Sequence, residues 1–346
     1  VRPLARTWAV VLASAFAVVL FVPCAKKMLP PSPDRFAPHL EEIDMRNRSQ
    51  VELVFDEEID PARVVADSFN VTGPDGRRLE LRGASLGRQA DRVLLWTPVQ
   101  AAAGLYELRG VVWDRAGNLA RFRGRFRGSE KRDSIAPRVV RVEPSPGAAG
   151  LRRGVAVRVK FSEPVDTSGT LSFMFVPARY DTLFKSAWDP DWQGLGFVNR
   201  ESMPGGAVVY FMLQPGVKDL EGNRTRGAAF TYFTSDSVLE AQLIRGKAEW
   251  RNGPLGTGTV FFHAESLAET AAVEARTAAL AAVLRDGSFF TKVRQGSYEV
   301  EAVADTDGDG LVDLSSTVAR FRTEQESLEL TLEPAGSPRP ISAYRR

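Results

Sequence analysis

The feature that most constrains this chain is a repeat. The stretch VELVFDEEID at 51–60 matches VRVKFSEPVD at 157–166, so Phe55, Glu57 and Asp60 correspond to Phe161, Glu163 and Asp166, 106 positions later. A second match, VVWDRAGN against GVKDLEGN, pairs Asp114, Gly117 and Asn118 with Asp219, Gly222 and Asn223 at a spacing of 105. Two matches at nearly one spacing mean that a unit of about 100 residues occurs twice. Each copy opens on a proline, in FAPHLEEI and in IAPRVVRVEPSPG.

Within the copies, short apolar alternations are broken by Gly, Pro, Asn and Asp, and no long stretch keeps a clean helical period, which predicts an all-β protein. Alternation places Val51, Leu53 and Phe55, and likewise Val155, Val157, Val159 and Phe161, on one core-facing side of a strand. The size and the several alternating strands fit an immunoglobulin-like sandwich. VRVKFSEPVD with the downstream DLEGN resembles the bacterial Ig-like domain of the surface-layer-protein type. The first copy departs from it, with Asp56 and Glu58 where the second has Ser162 and Pro164. The resemblance implies structural and adhesive modules strung in tandem in an exported protein, with no built-in active site.

The third unit reads differently. LRDGSFFTKVRQGSYEVEAVADTDGDGLVD is similar to carboxypeptidase-regulatory-like or prealbumin-like β-sandwiches. That likeness implies a hairpin turn at Asp286-Gly287, Phe289 in the core, and a second turn at Gly296 before a strand from Tyr298. The Ala-rich stretch Ala268 to Leu284 has high helix propensity, yet VEARTAALAAVL also fits a strand, the preferred reading in this context. The expected fold class is therefore all-β: tandem Ig-like β-sandwiches at 38–132 and 133–237, then a prealbumin-like sandwich at 238–335 and a tail at 336–346.

The N-terminal residues carry Arg2 and Arg6, an apolar run from Trp8 to Pro23, then Cys24, the only cysteine, and Lys26 and Lys27. This is the architecture of an export signal, and the run is shorter than the roughly 20 residues a spanning helix needs. It resembles a bacterial lipoprotein signal over 1–24, in which Cys24 is lipidated, although Pro23 stands where that pattern has a small residue. Ordinary cleavage, an uncleaved anchor and a buried structural cysteine are the other readings. The Pro-rich 25–37 would be an extended tether. With no second cysteine, the domains have no disulfides and no thiolate metal site.

DTDGDGLVD at 305–313 sets Asp305, Asp307, Asp309 and Asp313 at the first, third, fifth and ninth places of a calcium-type loop, with Gly310 at the sixth. Ser316 stands at the twelfth place, where an EF-hand has a bidentate Glu, so the alternatives are a calcium-binding loop of another kind and a polar turn between strands. The two D-x-x-G-N motifs read as turns. Glu57 with Asp60, and Glu163 with Asp166, recur in both copies, which favours architecture over acid–base catalysis. The two histidines, His39 and His263, have no partner at metal-ligand spacing. Nucleotide-binding, metalloprotease and serine-hydrolase motifs are absent from the sequence. Tyr180, Phe184, Trp188, Trp192 and Phe197, beside Asp189 and Asp191, either form a glycan- or protein-binding surface, with Tyr180, Trp188 and Trp192 as its anchors, or fold back over an open end of the sandwich.

Lys and Arg number 45 against 43 Asp and Glu, a formal charge of +2 that gives no argument for nucleic acid. The function expected is that of a non-enzymatic exported lipoprotein, held at the outer membrane or cell surface through Cys24, which acts as a structural or binding module toward an envelope protein or glycan. The alternative is an accessory subunit docked on an envelope enzyme or transport complex. The weakest reading is a carbohydrate-processing enzyme using Asp189 or Asp191. Ca²⁺ is the one cofactor expected.

Overall fold

The structure, a computed structural model, describes residues 34–345 apart from 254, 266–276 and 326. In the first module the strands are β1 (Leu40–Asn47), β2 (Gln50–Phe55), β3 (Phe69–Thr72), β4 (Arg78–Leu79), β5 (Gly83–Leu86), β6 (Arg92–Trp96), β7 (Leu105–Trp113) and β8 (Leu119–Arg127). They form two antiparallel sheets, β1-β2-β6-β5 and β4-β3-β7-β8. Val51, Leu53 and Phe55 face inward as the alternation predicts, meeting Val93, Leu95, Phe69, Val71 and Leu108. On the other side of β2, Glu52 is also buried, and Arg46 and Arg92 both donate to its carboxylate. A buried charge needs such partners.

The second module has β9 (Val139–Glu143), β10 (Val155–Phe161), β11 (Phe173–Val176), one helical turn (Tyr180–Leu183), β12 (Lys185–Trp188), β13 (Gly194–Asn199), β14 (Val208–Leu213) and β15 (Ala229–Thr234). Its sheets run β12-β13-β10-β9 and β11-β14-β15. Val155, Val157, Val159 and Phe161 again point inward, toward Phe175, Phe197 and Phe211. These three rings lie 4.8 to 5.9 Å apart, centroid to centroid.

The three-stranded sheet has two buried faces. Phe175, Val209, Phe211, Leu213 and Phe233 enter the core of the second module, while Met174, Val176, Tyr210, Met212 and Tyr232 enter that of the third. The sequence reason is the unbroken apolar run VVYFML in β14, the pattern of a strand covered on both sides. Full burial of such side chains contributes about 1.5–3 kcal/mol each. Modules two and three therefore share a core, where the sequence reading has separate sandwiches.

The third module comprises β16 (Gln242–Glu249), β17 (Thr257–Ala264), β18 (Thr277–Val283), β19 (Ser288–Val293), β20 (Ser297–Asp305), β21 (Leu314–Ser316), β22 (Ala319–Arg322) and β23 (Ser327–Pro334). Strand order β17-β18-β19-β16-β23-β21-β20 closes on itself through β17–β20 pairing, with β22 also against β20. Gly287 takes a positive φ of 84° in the hairpin turn before β19, and Phe289 is buried, both as expected. Of the Ala-rich stretch, Thr277–Val283 is a strand, and the part up to 276 lies outside the described residues. The expected tail folds back onto the body. Ile341 is buried in the shared core, and Arg345 donates to the Phe175 carbonyl and pairs with Asp181 at 2.6 Å.

Candidate functional site

The repeated motifs meet in space at the entrance of each copy. In both D-x-x-G-N turns the aspartate carboxylate accepts from the asparagine backbone N–H and side-chain amide: Asp114 from Asn118 at 2.7 and 2.7 Å, Asp219 from Asn223 at 2.8 and 2.7 Å. Gly117 and Gly222 each take φ of 91°, which is open to glycine at no steric cost. The turn role expected of these motifs is what the geometry gives. Asp60 and Asp166 likewise serve local turns, accepting from the backbone N–H of Ala62 and Ser168.

The glutamates do not pair with those aspartates. Glu57 gathers with Asp34 and Asp114, and Glu163 with Asp133 and Asp219; in each trio one oxygen per residue lies within 4.8 Å of the others. The second trio sits at the junction of modules one and two. Glu163 is 8% exposed, and its carboxyl is pushed up to about 8 by burial first, then by Asp133 and Asp219, with Arg138 opposing. Glu57 is raised by burial and then by Asp114, Asp34 and Asp56. Burial alone would raise Asp114 as well, but hydrogen bonds from Asn118, Gly117 and Ala116 outweigh it and hold it low. Sequence reasoning missed the trios, although the recurrence of Glu57 and Asp114 at nearly the same spacing was their signal.

Around the second trio the modules are bolted together. The Arg48 guanidinium donates to both carboxylate oxygens of Glu221, from Nε at 2.8 and 3.0 Å and from Nη2 to Oε2, and Ser49 Oγ adds a fourth bond. The Gln50 amide donates to Asp133 at 2.7 Å and to Glu163 at 3.3 Å, and Asn223 Nδ2 to the Asp133 carbonyl at 3.1 Å. Gly83 lets the backbones close up, since a Cβ there would meet Pro164 at 3.2 Å and the Asp191 carbonyl at 3.3 Å.

The aromatic segment belongs to this packing. Tyr180, Phe184 and Phe197 are buried, so Tyr180 offers no surface to a ligand. Trp188 is half-buried, 6.1 Å from Phe161, and Trp192 lies under the Arg82 guanidinium of the first module at 4.6 Å. Asp189 and Asp191 sit in the turn between β12 and β13, where Asp191 accepts from the Gln193 N–H.

The acidic loop lies against the second module beside its D-x-x-G-N turn, next to Asp166, Lys218 and Arg224. Asp305, 5% exposed, accepts from the N–H groups of Gly308 and Gly310; Asp307 accepts from Asp309, Asp309 from Leu311, and Asp313 from both N and Oγ1 of Thr306. Burial raises Asp305, followed by opposing backbone hydrogen bonds, while the Thr306 bonds lower Asp313. Asp305, Asp307 and Asp313 converge to within 4.8 Å; Asp309 is not in that group. Three oxygens are half of the smallest set Ca²⁺ takes. Arg224 already brings a positive charge to the loop, donating to the Gly308 carbonyl at 2.8 Å.

His39 is exposed, and its backbone is engaged with Asp56: its N–H donates to the Asp56 carboxylate and its carbonyl accepts from the Asp56 N–H. His263, for which the sequence shows no partner, is fully buried between Thr277 Oγ1 and Glu301 Oε1, each at 3.0 Å. This chain of three side chains satisfies polar groups inside the sheet, beneath solvent reach. Cys24 and the rest of the expected signal lie outside the described residues. No helix among the described residues is long and apolar enough to cross a membrane.

Residues 133–235 match the family model of a bacterial Ig-like domain. No curated protein matches the chain. Among solved structures the chain is similar to the N-terminal part of the bacterial S-layer protein SbsC, at 14% identity and a TM-score of 0.26, over 57% of this chain and 44% of that one. It is also similar to dimeric latent PorU from Porphyromonas gingivalis, at 10% and 0.33 over 85% and 32%, and to an L,D-transpeptidase from Mycobacterium smegmatis, at 16% and 0.20 over 43% and 76%. The chain spans less than half the length of the S-layer chains it matches. The second module of this chain is a bacterial Ig-like domain, and the first module repeats its turn and its acidic trio.

Proposed function

We propose that the chain is a non-enzymatic protein of the bacterial cell envelope, tethered through a lipid on Cys24, in which three joined modules act as a spacer and binding scaffold. The observation that supports this reading best is the joining itself. Modules one and two are tied by Arg48, Gln50 and Gly83, and modules two and three by a shared core, so the unit can hold a surface at a set place relative to its anchor. Of the acids considered for catalysis, Asp60, Asp166 and Asp191 cap turns and Glu57 and Glu163 sit in the acidic trios, and the buried histidine faces no solvent.

Labelling cells with radioactive palmitate tests the anchor. Label and membrane association in the parent, both lost in Cys24→Ser, are the expected result; an unlabelled parent in the soluble fraction would refute it. Recovery of the anchored chain in a stable complex with an envelope enzyme or transporter would make it an accessory subunit instead.

Calcium at Asp305, Asp307 and Asp313 is a separate proposal, with a structural role in stiffening the loop. Calorimetric titration of Ca²⁺ into the fragment beginning at Asp34 should give heat and a higher unfolding temperature, both absent from an Asp307→Ala, Asp309→Ala variant. Equal behaviour of the two would leave the loop a turn held by its own N–H groups.

A further inference from the structure

The formal charge of +2 conceals a concentrated basic surface. On the sheet β4-β3-β7-β8, the side opposite the core carries Arg78, Arg109, Arg121, Arg123, Arg125 and Arg127, all exposed. Register puts Arg109 directly across from Arg123, and Arg125 across from Glu107, the one carboxylate among the paired outward positions of β7 and β8. Glu107 pairs with Arg125 at 2.7 Å. Like charges placed opposite each other destabilise a sheet, so folding does not account for Arg109 and Arg123. Charges that keep an edge strand from aggregating do not account for Arg109 either, since β7 is internal to the sheet.

From this face we infer that the first module lies against a bilayer surface bearing anionic phospholipid head groups. Successive outward residues of a strand are about 6.6 Å apart and neighbouring strands about 4.8 Å, which makes a flat grid of guanidiniums suited to many phosphates and not to one pocketed ligand. Guanidinium binds phosphate oxygens two at a time and sheds water more readily than ammonium. Apolar side chains are set among the arginines: Leu105 is 46% and Leu119 42% exposed, and Trp113 is half-buried with Arg63 over its ring at 5.4 Å. That mixture suits the head-group layer, where aromatic and basic side chains gather, better than a soluble polyanion.

The entry point of the chain agrees with this placement and rests on the anchored reading above. Asp34 lies beside Asp114, in the turn from which β8 sets out, so a tether arriving from Cys24 reaches the module at one end of the arginine face.

Vesicle co-sedimentation tests the surface without the anchor. All three cores lie between Leu40 and Tyr344, so the fragment beginning at Asp34 keeps every core residue. It should sediment with vesicles of phosphatidylcholine and phosphatidylglycerol in equal parts, not with phosphatidylcholine alone, and high salt should release it. An Arg109→Ser, Arg121→Ser, Arg123→Ser variant should bind about a hundredfold more weakly, at roughly fivefold per arginine, with an unfolding temperature no lower than the parent's, since the Arg109–Arg123 repulsion is removed. Absence of binding to the mixed vesicles, undiminished binding by the variant, or capture by soluble polyphosphate without vesicle binding would each overturn the inference. Because the fragment lacks Cys24, its result is independent of the palmitate experiment.

Discussion

Glu163 is held in a place where its charge is unwelcome. Burial removes it from water, and Asp133 and Asp219 face it with like charge, against Arg138 alone on the favourable side. Its folded pKa, about 8, lies above the ordinary glutamate value of an unfolded chain. Between those two values the unfolded state gives up the proton while the folded state keeps it, so stability is full in acid, falls as pH rises toward 8, and is level beyond. Glu163→Gln keeps the Gln50 contact and removes the proton to be lost. Denaturation midpoints measured across that range should decline more steeply for the parent than for the variant, in which the raised Glu57 and Asp305 still titrate; parallel curves would mean that another group carries the dependence. The sequence displayed Glu57 and Glu163 plainly, but their partners were not legible. Asp60 and Asp166 are near in the chain yet turn away to cap Ala62 and Ser168. The true partners arrive from the far side of the repeat, through the turns at Asp114 and Asp219.

At the scale of elements, inward alternation was readable wherever one face of a strand meets one core, as in Val155, Val157, Val159 and Phe161. β14 does not alternate, and it went unread. The expectation of a free-standing sandwich leaves Tyr210 and Met212 on a wet outer face, whereas both are buried against the third module. Tyr210 even donates its hydroxyl to the Lys292 carbonyl at 2.6 Å, and Thr259 Oγ1 reaches Met212 Sδ at 3.2 Å. VVYFML carried the signal, since a half-solvated strand has no use for an unbroken apolar run. Met212→Ala should therefore cost about 2–5 kcal/mol, as a core truncation does, and Tyr210→Phe about 1 kcal/mol for one hydrogen bond. Denaturant unfolding measures both. A change within about 0.5 kcal/mol for Met212→Ala, the value of an ordinary surface site, would show that the two modules do not share a core in solution.

Over the whole molecule, tandem organisation was legible from the repeat, and how the tandem is joined was not, because the joint is made of single polar residues in loops. Arg48 and Ser49 lie in the tight connection between β1 and β2, and Glu221 in the D-x-x-G-N turn of the next module. Nothing in the local pattern links them. Glu221 is nevertheless almost wholly covered, its side chain 3% exposed, and the Arg48 bond holds its carboxyl below the usual range. An acid so covered depends on its guanidinium. In an Arg48→Ala, Gln50→Ala variant, Glu221 is left with the Ser49 hydroxyl in place of its guanidinium and Asp133 loses the Gln50 amide, so water must enter to solvate both. Among the described residues, the ties that remain include the segment between β8 and β9, Ser49 on Glu221, Gly83 against Pro164 and Arg82 over Trp192. Small-angle scattering of the fragment beginning at Asp34 should show a larger radius of gyration for the variant. Limited proteolysis should cut it faster between 128 and 138, while the unfolding of each core is preserved. Unchanged scattering and cleavage would mean that the glycine contact and the arginine–tryptophan stack suffice. The spacer would then owe its set geometry to shape, and the polar residues would serve only to satisfy one another.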